Sequence, residues 1–156
     1  MEKSREKTMK VLDLPPVWLL GMMALAFAIA RLFPGITVDL PWMKAVGVGL
    51  AGLGLIIMAA AMWEFLRAKT TIIPRQIPSA FLQRGIYRLS RNPIYLGDAL
   101  VLFSAILWWG APLALPLVPL FILLITHRFI KGEERGLRAR FGAEFEVWAG
   151  KTRRWL

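Results

Sequence analysis

Long apolar stretches alternate with short polar ones along this chain, and the lengths of the apolar stretches decide what they are. Residues 15–34 and 44–66 carry few charges, and each is close to the ~20 residues that a helix needs to cross the hydrocarbon core of a bilayer. Both are predicted to span. A third apolar region, residues 94–130, is too long for one crossing and is interrupted at Gly110, Ala111 and Pro112. A reversal there predicts a helical hairpin with arms at 94–109 and 112–130, the first arm being short for a crossing. The expected fold class is an all-α integral membrane protein of four transmembrane helices, the last two a hairpin, in a single membrane domain over residues 1–156. Residues 67–93 form a loop between the second and third spans. Residues 131–156 form a tail in which Leu137, Phe141, Phe145 and Trp148 recur at helical spacing. That amphipathic helix is expected to lie along the membrane surface with its apolar face down.

Composition agrees with this class: 57% of residues are hydrophobic and the mean hydropathy is +0.55, far too apolar for a soluble domain of this length. A net charge of +10 first suggests nucleic acid, but the placement of the charge suggests a membrane. Lys3, Arg5, Lys7 and Lys10 precede the first helix, Arg67, Lys69, Arg75, Arg84, Arg88 and Arg91 lie between the second and third, and eight more basic residues, from Arg128 onward, lie at or beyond the end of the fourth. Only Arg31 and Lys44 remain for the other side. The positive-inside rule therefore predicts a multi-pass protein of the inner or plasma membrane with both termini and the central loop cytoplasmic. Trp18 and Trp63 near the inner boundary, with Trp42, Trp108 and Trp109 near the outer one, fit an aromatic belt. The same basic face is suited to anionic lipid headgroups of the bilayer. The basic start and the apolar run ending at Ala28, Ile29 and Ala30 also resemble a signal peptide, but the length of the run and the proline pair that opens it favour a retained span.

Several motifs bear on chemistry. Gly47, Gly49 and Gly52 match GxGxxG by letter, but they lie inside an apolar helix instead of between a strand and a helix, so close helix packing in lipid is the expected role. The chain has no cysteine, which excludes disulfides and thiolate metal sites, and a single histidine, His127, is a poor start for a metal centre. No metal is expected. Asp98 falls within the third predicted span, where an ionisable group is a functional candidate or the partner of a loop arginine. Glu64 beside Arg67 reads as an interfacial ion pair. Glu133 and Glu134 come directly off the fourth span among Arg128, Lys131 and Arg135. They read either as a solvated ion-pair cluster or as carboxylates that meet a cationic or hydroxyl-bearing ligand.

The loop and tail together resemble the superfamily of isoprenylcysteine carboxyl methyltransferases and phospholipid methyltransferases. The resemblance runs from about Thr70 to the end of the chain. It is carried by Gly85-Ile86-Tyr87, by Arg91-Asn92-Pro93-Ile94-Tyr95-Leu96-Gly97, by the Glu133-Glu134 pair, and by Leu137 followed by Phe141-Gly142 and Phe145. It implies methyl transfer from S-adenosylmethionine, with S-adenosylhomocysteine as product, to a lipophilic or small hydrophobic acceptor at the cytoplasmic face. On this basis Tyr87, Asn92, Pro93, Ile94 and Tyr95 match positions that enclose the cofactor, Leu82 matches a backbone contact, and Glu133, with Glu134 beside it, matches the cofactor-binding glutamate. Arg91, Arg128 and Asp98 are the catalytic candidates. Asn92 stands where the motif more often has histidine. Phe129 stands where the prenylcysteine enzymes have a substrate-binding arginine, which argues against a prenylcysteine carboxylate as acceptor. The other two readings of such a chain are a nicotinamide-dependent membrane reductase and a non-enzymatic scaffold or assembly factor. No nucleic-acid partner is expected.

Overall fold

The computed structural model describes residues 13–70 and 81–156. The basic residues ahead of Asp13, and Pro74, Arg75 and Pro78 of the loop, lie outside them. The described residues are helical, with no strand among them. Helix α1 is Pro15–Leu32, α2 is Pro41–Ala68, α3 is Pro93–Trp108 and α4 is Leu117–Ile125. A π-helical turn, Thr126–Ile130, then joins α4 to α5, Lys131–Lys151. Proline opens α1, α2 and α3, at the one place in a helix where a missing N–H costs nothing. By length and composition α1, α2 and the continuous helical segment Pro112–Lys151 are apolar enough to cross a membrane, whereas α3 has 16 residues and is shorter. The fourth expected span and the tail are thus one rod, broken only at Gly142, whose φ of 48° and ψ of −120° no helix accommodates.

Helix α3 is the centre of the bundle, packed on α2 to one side and on α1 and α4 to the other. Its contact with α2 is close because both helices offer small residues. Gly47, Gly54 and Ala61 recur every seventh position on α2 and are all buried. A Cβ on Gly54 would lie 2.9 Å from the Gly97 carbonyl oxygen, and one on Gly97 would run into Met58 and, at 2.8 Å, the Gly54 carbonyl oxygen. Gly49 and Gly52 face open space, so only part of the glycine stripe serves packing. The other face of α3 carries Tyr95, Ala99, Leu102 and Ile106 into a core with Ala26 of α1 and Phe121 and Ile125 of α4. Gly97→Leu should separate α2 from α3 and destabilise the detergent-solubilised protein by about 1–3 kcal/mol, the usual cost of overpacking. A thermal unfolding curve that did not move would contradict this account of the interface.

At the far end of the hairpin the reversal runs through Gly110, at φ 56°, against the segment between α1 and α2: the Val38 N–H donates to the Gly110 carbonyl at 2.9 Å. Trp42 and Trp108 are exposed at this end and Trp63 at the other. At the opposite end α2 is decisive. Its 28 residues make a rod of about 42 Å, longer than a ~30 Å hydrocarbon core. The surplus carries Glu64 and Phe65 to the loop that precedes α3.

Candidate functional site

The loop enters α3 through a single 3-10 turn, Gly85–Arg88. Gly85 takes φ 56°, and a side chain there would collide with the Glu64 carboxylate. Glycine is therefore required twice, by backbone conformation and by the close approach of α2. The turn buries Tyr87, whose ring meets Phe65 edge-on at 6.0 Å between centroids. Burial, followed by the negative charges of Glu133 and Glu64, raises the Tyr87 phenol well above its ordinary pKa, so this side chain stays neutral. No ion pair joins Glu64 to Arg67 among the described residues. The pairing expected from their spacing is replaced by the apposition of Glu64 to Gly85 and Tyr87.

The π-helical turn supplies the other wall. Both Phe129 and Ile130 are buried, and the extra residue of a π-turn lets two adjacent side chains point inward before α5 begins. Glu133 and Glu134 follow in the first turn of α5. The Tyr95 hydroxyl donates to Glu133 Oε1 at 2.8 Å, which ties the start of α3 to the start of α5. Glu134 is 7% exposed and is gripped from two directions. Arg154 Nε and Nη2 donate to its two oxygens at 2.9 and 2.6 Å, and Arg91 Nη1 donates to Oε1 at 3.0 Å. The carboxylate in turn raises the pKa of the Arg154 guanidinium. The solvated cluster with Arg128, Lys131 and Arg135 does not form around Glu134. Arg128 instead donates to Asp13 at 2.5 Å and lies over the Trp18 ring at the start of α1. Lys131 approaches His127 Nδ1 at 3.3 Å.

The end of the chain folds back over this junction. The Arg91 N–H donates to the Arg153 carbonyl at 2.9 Å, Asn92 Nδ2 to the Arg154 carbonyl at 2.9 Å, and the Trp155 indole N–H to Thr126 Oγ1 at 3.1 Å. Asn92 is thereby engaged by the chain itself. Residues 153–155 are the part of the site that sequence reasoning missed. They read as the last of many basic interfacial residues, and only the run Arg153-Arg154-Trp155, closing a polar tail, hinted at a docked segment.

Helix α5 also departs from expectation in what it covers. Phe145 and Trp148 are buried against Phe81, Leu82, Ile86 and Tyr87. Phe81 stacks on Phe141 at 5.1 Å and meets Trp148 edge-on at 4.9 Å, and the Trp148 indole donates to the Tyr87 carbonyl at 3.3 Å. The face expected to lie on lipid instead clamps the loop, because facing aromatic side chains bury large areas and gain edge and stacking energy from one another. The loop is thus held between the end of α2 and the face of α5, with Leu82, Tyr87, Asn92, Pro93, Ile94 and Tyr95 along one continuous path. Among the described residues no three His, Asp or Glu side chains converge as a metal centre would require.

A sequence model of the phospholipid methyltransferase family matches residues 42–144, from the start of α2 to the middle of α5. The chain belongs to this family. The matched region contains α2, the loop, α3, the hairpin and both glutamates, and so covers the Tyr95–Glu133 contact but not the returning residues 153–155. An uncharacterized protein of Haemophilus influenzae is 41% identical over 63 residues, which is the whole of that protein and 40% of this chain. No solved structure matches the chain. Membership in the phospholipid methyltransferase family points to a methyltransferase of the membrane, in keeping with helices apolar enough for a multi-pass protein.

Proposed function

We propose that this phospholipid methyltransferase family member transfers a methyl group from S-adenosylmethionine to a lipophilic acceptor at the cytoplasmic membrane face, with four crossings and both termini cytoplasmic. The observation that carries the reading is the junction of Tyr95 and Glu133 beside buried Tyr87, at the mouth of α3. S-adenosylmethionine offers a flat adenine, ribose hydroxyls, an ammonium and a carboxylate, and when bound it supplies a methyl group already activated on a sulfonium. Tyrosine rings suit the adenine, and Glu133 suits the ammonium or the ribose. The carboxylate has a candidate donor as well: Arg91 Nε is buried without a hydrogen-bond partner. An orphaned buried donor is costly, and a ligand carboxylate would satisfy it. Leu82, Asn92, Pro93 and Ile94 complete the enclosure.

The two glutamates have different roles in this reading. Glu133 meets the cofactor. Glu134, already neutralised by two arginines, positions Arg91 and closes the end of the chain over the site. Arg128, occupied by Asp13 and Trp18, is removed from the catalytic candidates, leaving Arg91 and Asp98. The protein's share of the catalysis is then to bind, orient and keep water from the reacting groups, while the cofactor carries the hard chemistry.

The test is calorimetric titration of the detergent-solubilised protein with S-adenosylmethionine, S-adenosylhomocysteine and a reduced nicotinamide dinucleotide. Saturable binding of the two sulfur ligands alone is expected. Binding of the nicotinamide alone would make the chain a reductase, and binding of neither by folded protein would make it a scaffold.

A further inference from the structure

Glu64 is the carboxylate at the mouth of the junction that no side chain of the described residues engages. It is partly buried and stands near the C-terminal end of α2, where the negative end of the helix dipole disfavours an anion and favours a cation. Its carboxylate lies so close to the Gly85 backbone that a Cβ there would run into it. Arg67, Arg84 and Arg88, the basic residues nearest to it along α2 and the turn, are exposed, and none of them pairs with it among the described residues. Other acidic side chains of this end are engaged: Glu133 by Tyr95, Glu134 by Arg91 and Arg154, and Glu144 by Gln83. Asp98 lies deeper, buried within α3, and the pairing with a loop arginine does not form, because Arg91 is taken by Glu134. A second polar group stands open beside Glu64. Tyr87 is 7% exposed, with Phe65 edge-on against its ring and its backbone carbonyl taken by Trp148, yet its hydroxyl makes no hydrogen bond among the described residues. It is not sealed away as the orphaned Arg91 Nε is, so its oxygen borders open space. Glu133 and Glu64 both act on this phenol and, after burial, raise its pKa; the hydroxyl stays neutral in the field of two carboxylates.

We propose that Glu64, with the Tyr87 hydroxyl beside it, is the subsite for a cationic group of the cofactor, its ammonium or its sulfonium. The proposal rests on the methyltransferase reading and brings α2 into a site so far built from the loop, α3 and α5. Its basis is the chemistry left open there. A carboxylate withdrawn from water without a partner is costly, and a positive charge against it in a medium of reduced dielectric offsets that cost. A neutral tyrosine hydroxyl adds an oxygen acceptor next to it. Both groups are held in place, Glu64 by the overhanging end of α2 and Tyr87 by the 3-10 turn, so little ordering is needed when a ligand arrives. The two cations have different consequences. The ammonium survives methyl transfer, so at that position Glu64 holds substrate and product alike and leaves Glu133 to the ribose. The sulfonium loses its charge when the methyl group leaves, so at that position Glu64 holds S-adenosylmethionine more tightly than S-adenosylhomocysteine and favours release of the product.

Glu64→Gln keeps the shape and removes the charge, and Tyr87→Phe removes the hydroxyl and keeps the ring. Wild type and both variants, solubilised in detergent, are titrated calorimetrically with S-adenosylmethionine, S-adenosylhomocysteine and 5′-methylthioadenosine, which keeps the adenine and the ribose and has neither cation, and Tm is recorded for each protein. S-adenosylmethionine affinity should fall about tenfold in Glu64→Gln, the lower range for a bond to a charged group because Glu64 is only partly buried, and by a smaller factor in Tyr87→Phe. Affinity for 5′-methylthioadenosine and the Tm of Glu64→Gln should not change, since no bond within the protein is lost. An equal fall for S-adenosylhomocysteine then assigns Glu64 to the ammonium, and an unchanged affinity for it assigns Glu64 to the sulfonium. S-adenosylmethionine affinity undiminished in Glu64→Gln would overturn the proposal. So would an equal fall for 5′-methylthioadenosine, which moves Glu64 to the ribose or adenine, and so would a lowered Tm with all three ligands weakened, which makes its role structural; in each case the methyltransferase reading stands on the binding of S-adenosylmethionine by the wild type. A folded wild type that binds none of the three would remove that reading, and the proposal with it.

Discussion

Glu133→Ala should weaken S-adenosylmethionine binding by about a hundredfold, the equivalent of ~3 kcal/mol, which is the upper range for a hydrogen bond to a charged group. The substitution removes the carboxylate assigned to the cofactor's ammonium or ribose and also the acceptor for the Tyr95 hydroxyl, which lies 2.8 Å away. Tyr95→Phe separates these contributions. It deletes the hydroxyl and leaves the carboxylate, so it should weaken binding by only about tenfold, in line with a single hydrogen bond of ~1.5 kcal/mol. Both variants should insert and fold, because Glu133 is only partly buried and the core around Tyr95 is apolar. Calorimetry on the two variants is the check. Equal affinities for wild type and Glu133→Ala would remove this glutamate from the cofactor site.

The contrast between what could be read in the chain and what could not follows from the range of the interactions. Helices α1, α2 and α3 follow from runs of apolar residues opened by proline, which are local signals. The role of Gly47 was also legible, since small residues spaced along an apolar helix have few other uses; that Gly49 and Gly52 face open space was not, because a helix's neighbours are not written in its own sequence. The continuity of α4 with α5 was hidden by the change from apolar to charged residues at Lys131, across which the helix runs on without a break. The face formed by Phe145 and Trp148 was visible as a periodicity, but its partner was not: lipid and the side chains of Phe81, Leu82, Ile86 and Tyr87 can each cover an apolar face.

The charges were the hardest part. Glu64 next to Arg67, and Glu134 among Arg128, Lys131 and Arg135, offered neighbours in sequence, and neither glutamate takes them. Each pairing depends on where distant backbone segments cross. Glu134 meets Arg91 because α3 and α5 converge, and Arg154 because the chain end returns. Motif resemblance located Tyr87, Asn92, Tyr95 and Glu133 along the chain, but none of the residues that carry it is among 153–155.

Glu134→Ala should be the most destabilising single change in this region. It leaves Arg91, only 17% exposed in its side chain, and the half-buried Arg154 without their shared anion. Breaking a buried ion pair by removing one partner costs ~3–5 kcal/mol; because Arg154 is 35% exposed and can relax toward water, about 3 kcal/mol is expected. The loss should also be local before it is global. With Glu134 gone, the Arg154 carbonyl is no longer held against Asn92, nor the Arg153 carbonyl against the Arg91 N–H, so amides at 90–92 should exchange with solvent much faster than those in the centre of α3. Arg154→Ala releases the chain end but keeps the Arg91–Glu134 contact, so it should cost less, about 1–2 kcal/mol, the range for a charge-assisted hydrogen bond. Thermal unfolding of the two variants, with hydrogen exchange read by mass spectrometry over 85–97 and 150–156, distinguishes this order from the reverse. If Arg154→Ala proved the more damaging, the anchor of the site would be the returning chain end itself, and Glu134 only one of the groups it covers.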